Sequence, residues 1–173
     1  MQLFTILFLI VSYSCTTGQN KHERLNIMWP EEYKWKIISD TEDSLTHTVQ
    51  FLPGNETLQK WSIMGMTMNL KTQTASNLNE ILDPFLESAL QESPKGKYYI
   101  IEKDTSSKNF WVIYKVESPE FPNDPLPESQ LWYIIQGNET IFVSFVAIKE
   151  EYLSDYFTKK WVKIFKSSRL VYN

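Results

Sequence analysis

The stretch Gln130–Lys149, QLWYIIQGNETIFVSFVAIK, holds two apolar runs around Gly137-Asn138. Both turn residues tolerate positive φ, so the pair predicts a β-hairpin. The second run is apolar on both faces. Ile141, Val143 and Phe145 point one way, and Phe142, Val146 and Ile148 the other. A strand of that kind has to be covered on both sides, and a helix on each face of a sheet does so.

Working outward, KYYIIEKD (Lys97–Asp104) and NFWVIYKVE (Asn109–Glu117) read as two more strands joined by a polar turn. Upstream, Trp29–Ile38 suggests a turn feeding a first strand. Thr46–Leu52 is a second strand, ended by Pro53-Gly54, and Trp61–Leu70 is a third. Met64, Met66 and Met68 share one face of that third strand. They fit core filling against a helix, or an adaptable binding surface. Between the two strand groups the period changes. In NLNEILDPFLESALQE (Asn77–Glu92) the residues Leu78, Ile81, Leu82, Phe85, Leu86, Ala89 and Leu90 fall on one helical face. Pro84 predicts a kink or a late start there. A last helix, about Glu151–Ser168, carries acids near its start and lysines near its end, which suits the helix dipole. Its basic end reads as a solvated face, with contact to anionic lipid as the alternative. The expected fold is α+β, a single domain over 26–173. It has a mostly antiparallel sheet of about six to seven strands with helices packed on its faces.

The 173 residues suffice for one domain with a sizeable core, and Trp residues spread from Trp29 to Trp161 argue that the core is continuous. The net charge of −4, with no basic patch interleaved with stacking aromatics, argues against nucleic acid. With one Cys, two His and five Gly, there is no metal-ligand spacing, glycine-rich phosphate loop or nucleophile motif. Glu31-Glu32 and Glu150-Glu151 read as solvated element ends. No catalytic residue, cofactor or metal is expected, and the chain is not read as an enzyme.

The N-terminus supplies an address. Leu3–Val11, LFTILFLIV, is too short to span a bilayer and fits the apolar region of a signal peptide over 1–14. Ser12-Tyr13-Ser14-Cys15 resembles a bacterial lipobox, in which the thiol receives a diacylglycerol before cleavage. Ser12 stands where Leu is usual, and no Lys or Arg precedes the apolar run. A plain secretory signal and a retained anchor are the other readings. Lipidation at Cys15, followed by a polar tether over 15–25 of about 17 Å as a flexible coil, places the domain in a bacterial cell envelope, facing the periplasm. Secretion is the alternative. A catalytic role for Cys15 has little support, because a polar tether offers no pocket. The Asn55 and Asn138 sequons matter only in a eukaryotic secreted protein.

Three features carry a family likeness. They are the opening Pro30-Glu31-Glu32-Tyr33 with Trp35, the turn Phe51–Thr57 leading to Trp61, and the close Trp161-Val162-Lys163-Ile164-Phe165-Lys166-Ser167-Ser168. Together with the element order, the chain resembles the PsbP-like α/β/α fold, and within it the DcrB-like periplasmic proteins and lipoproteins. The resemblance implies a non-catalytic envelope or assembly protein and transfers no functional residue.

One segment stands apart. Ser118–Glu128, SPEFPNDPLPE, holds half of the 8 prolines and four acids if Glu117 is counted with it. Prolines lower the entropy lost on docking. Phe121 and Leu126 are the candidate partner contacts; the alternative is a stiff spacer. Two functions follow: an interaction or assembly module with an envelope partner, or a small-ligand or lipid-binding protein suggested by the Met row and the aromatics.

Overall fold

The computed structural model describes residues 23–120 and 126–172. Cys15, Phe121 and the proposed signal peptide lie outside these residues. The elements in order are β1 (Glu23–Asn26), a 3-10 turn (Glu31–Tyr33), β2 (Trp35–Glu42), β3 (Thr46–Pro53), β4 (Ile63–Lys71), α1 (Leu78–Glu92), β5 (Lys97–Asp104), β6 (Trp111–Ser118), β7 (Glu128–Gln136), β8 (Thr140–Ile148), α2 (Asp155–Lys166) and β9 (Arg169–Tyr172).

Seven strands form one antiparallel sheet in the order β2-β3-β4-β8-β7-β6-β5, so the two-faced strand β8 lies at its centre. The β7–β8 hairpin closes where Gly137 donates to the Thr140 carbonyl at 2.8 Å. On one face α1 buries Leu78, Ile81, Leu82 and Leu86 against Val112, Tyr114, Val116, Ile134 and Val143. On the other face α2 buries Trp161 and Phe165 against Ile113, Leu131, Tyr133 and Val146. Each set of strand residues alternates, as the pleat requires. The α2 face is the aromatic one. Trp161 contacts the rings of Trp29, Tyr33, Trp35, Phe157 and Phe165. Trp29 lies flat over Gly65, where any Cβ would come within 2.6 Å of the indole.

The Met row faces α1's side of the sheet. Met66 is buried with Phe145 and Ala147, and Met64 and Met68 pack partly buried beside Trp61 and Trp132. These residues fill core.

Both helices carry the caps that their sequences offer. Asn77 accepts from the Glu80 amide at 3.2 Å, while Glu80 accepts from the Ser76 amide and from the Asn77 side-chain amide, both at 2.8 Å, a variant of the capping box. Helix α1 starts at Leu78 and runs through Pro84, so it does not start late. Helix α2 starts at Asp155, four residues later than the acids at 150–151 suggest. Ser154 is its cap, accepting from the Phe157 amide at 3.2 Å.

The sequence missed one element pair. Residues 23–25, read as part of the tether, instead form β1 with Asn26. β1 pairs antiparallel with β9, Glu23 opposite Tyr172 and Asn26 opposite Arg169.

Candidate functional site

The register gives the main sheet two ends, about 30 Å apart along the nine residues of β8. At one end lie Lys71, Gln136, Thr140 and the Gly137 turn. The chain enters the domain here: the Glu23 carboxylate accepts from the backbone amides of Asn138 at 2.7 Å and Glu139 at 3.2 Å. Burial and the Glu23 carboxylate push the Tyr172 phenol upward. The β2–β3 turn is at the same end. Asp43 accepts from the amides of Leu45 and Thr46, both at 2.7 Å, and these bonds hold its carboxyl below the usual range. The Lys71 hydrogen bond, at 2.5 Å, lowers Glu42 likewise.

The opposite end carries the two ends of the Pro-rich segment, where Ser118 pairs with Glu128. Three buried polar clusters fix it. In the first, the hydroxyls of Ser93 and Ser118 lie against each other and converge on the Glu120 carbonyl, at 3.0 and 2.6 Å. Ser93 follows α1, so this cluster ties the segment's entry to the helix end. Lys95 adds a 2.5 Å bond to Glu120. In the second, Glu117 accepts from Lys115 at 2.6 Å and from the Leu153 amide at 3.1 Å, joining β6 to the approach of α2. In the third, Lys149 donates to Glu128 at 2.8 Å, with side chains only 16% and 14% exposed. Its ammonium also sits over the Trp61 ring, 4.3 Å from the centroid. Glu128 accepts further from Gln130, whose carbonyl oxygen in turn accepts from the Trp132 indole at 2.8 Å.

This arrangement holds the two flanks of the Pro-rich segment, at Ser118–Glu120 and at Glu128. Buried charges persist only when paired and hydrogen-bonded, and here they are. The Ser93 and Ser118 hydroxyls are directed at a backbone carbonyl. The described histidine, His47, bonds Asp40 at 2.9 Å on the β2–β3 hairpin, at the other end of the sheet. Among the described residues no group of three or more His, Cys, Asp or Glu side chains could hold a metal ion. Of the two partner contacts named from the sequence, Leu126 is 56% exposed beside this network. Sequence reading found the segment but missed the network. The Lys115–Glu117 spacing of two on a strand, which puts both side chains on one face, was the available signal.

No helix among the described residues is long and apolar enough to cross a membrane. No protein-family model matches the chain, and no curated protein matches it. What the fold and site define is therefore a single α+β sandwich that enters at one end of its sheet and fixes a Pro-rich segment at the other.

Proposed function

We propose that this chain is a non-catalytic interaction or assembly module of a bacterial cell envelope, of the PsbP-like kind. Lipid on Cys15 and the residues up to 22 hold the domain near a membrane, and the acidic Pro-rich segment engages a protein partner. The observation that carries this reading is the separation of the two ends. The chain enters beside Gly137, and the flanks of the segment are fixed about 30 Å away by buried and part-buried bonds at Glu117, Glu120 and Glu128. A spacer needs no such fixing: prolines alone would stiffen it. A long segment held at both ends with Leu126 exposed keeps an apolar contact ready at low ordering cost.

Capture in the native envelope tests this. A photo-crosslinker at Leu126 should trap one distinct protein, and replacing residues 119–125 and 127 by Gly and Ser with the probe kept at 126 should abolish the adduct while the fold survives. No adduct, with a normal envelope after the replacement, contradicts the proposal.

A further inference from the structure

A groove of about 650 Å³ runs between α2 and β5. That size falls within the range of small-molecule sites. Its apolar lining comes from Ile101 and Val162, and Lys159, Lys163 and Lys166 stand along it. Lys166 is engaged with Glu102. Lys159 and Lys163 have no carboxylate at ion-pair distance among the described residues. Asp155 is the acid at the far end. Ile101 follows the alternation of β5 onto α2's side, and the bulge between Ile100 and Glu102 brings Glu102 to that same side, where it meets Lys166. Tyr99 on β5 and Tyr156 in the first turn of α2, on the two elements that form the groove, are exposed, the latter at 79%. Tyrosines and lysines around an apolar floor are the composition of a membrane-interface surface.

The position agrees with the chemistry. Ser167 lines the groove and is two residues from Arg169, the partner of Asn26. Glu23 lies three strand residues farther on, roughly 10 Å. The eight residues from Cys15 to 22 reach at most about 28 Å when extended. A lipid on Cys15 therefore keeps this groove within reach of the bilayer that holds it. Charge complementarity selects an anionic surface, since each lysine near such a surface contributes a factor of about five in binding. Two free lysines make a weak site alone and a sufficient one when the tether raises the local lipid concentration.

We propose that the groove between α2 and β5 docks on the anionic phospholipid of the membrane that holds the tether, with Lys159 and Lys163 contacting phosphate and Ile101 and Tyr156 in the interface. The inference rests on the tether reading. The test uses the full chain with its own N-terminal segment, expressed in a bacterial envelope, with a photo-crosslinker at Ile101. Mass spectrometry of the adducts should show anionic phospholipid enriched over zwitterionic phospholipid. Lys159→Glu with Lys163→Glu should cut that labelling by about tenfold or more while the chain stays in the membrane fraction. A probe at Leu58, near the far end, should label no lipid. A chain held on the membrane whose Ile101 probe labels no anionic phospholipid, or labels it regardless of the two lysines, overturns this inference alone. A chain recovered free of membrane overturns the tether reading as well.

Discussion

At the entry end of the sheet, Glu23 holds the Gly137 turn through two exposed backbone amides, and β1 pairs with β9. At the far end, Lys149, Glu128, Glu117, Ser93 and Ser118 hold a segment through side chains that are buried or nearly so. Backbone pairing closes the first end, as suits a place where the chain enters. Desolvated polar side chains close the second, and such groups impose a definite geometry because a misplaced one loses its partner. The difference teaches where this small domain spends its stability: on shaping the Pro-rich segment. The entry end is closed mainly by backbone groups of segments far apart in the chain.

Breaking the far end should cost most. Lys149→Met leaves the Glu128 carboxylate short of its cation at 14% exposure, and should lower unfolding free energy by about 2–3 kcal/mol in urea titrations. Adding Glu128→Leu should return most of that loss, because the orphaned charge is what costs. A loss below about 0.5 kcal/mol would put this pair with surface ion pairs and weaken the contrast.

The entry end should give less. A Cβ at Gly137 would come within 2.3 Å of the Glu23 carboxylate, the far end of a flexible side chain that can swing away. Gly137→Ala should therefore cost about 1 kcal/mol through the lost amide bonds. Hydrogen exchange should quicken at Asn138 and Glu139 and stay unchanged at Ser118. Combined with Glu23→Ala the effects should fall short of additive, since both remove the same contacts.

The smallest effect should be a local pH response. Asp43 titrates below its ordinary value because its folded carboxylate accepts the Leu45 and Thr46 amides. Its contribution is present above about pH 4, the unfolded value, and is lost as pH falls through the lower folded one. Exchange at the amides of Leu45 and Thr46 should accelerate over that acid window, and Asp43→Asn should remove the response. Acceleration at higher pH instead would assign the response to other groups.

Legibility in the sequence followed the range of the interactions. The β7–β8 hairpin, the two-faced strand β8 and the α1 residues Leu78, Ile81, Leu82 and Leu86 depend on neighbours within a few residues, and each stands where the pattern put it; Leu90 is instead exposed, and neither Gly137 nor Asn138 adopts the positive φ that argued for the turn. α2 began late because Glu150 and Glu151 mimic first-turn acids. The Leu153 amide instead bonds Glu117, and Ser154 caps the helix. β1 and β9 are four residues each, mostly half-buried or exposed, and meet from opposite ends of the chain; nothing periodic announces them. The site divided in the same way. Its proline and acid content was plain, whereas Ser93 with Ser118 and Glu128 with Lys149 come together only through the fold. The groove of α2 needed β5 beside the helix, so the sequence offered its lysines as a solvated face or a lipid contact but showed no groove.

The contrast between the ends is tested most directly by placing one photo-crosslinker at Leu126 and, separately, one at Asn138, in the native envelope. The account predicts a distinct protein adduct from Leu126 and none from Asn138. The same protein trapped from Asn138, or from both positions equally, would contradict it.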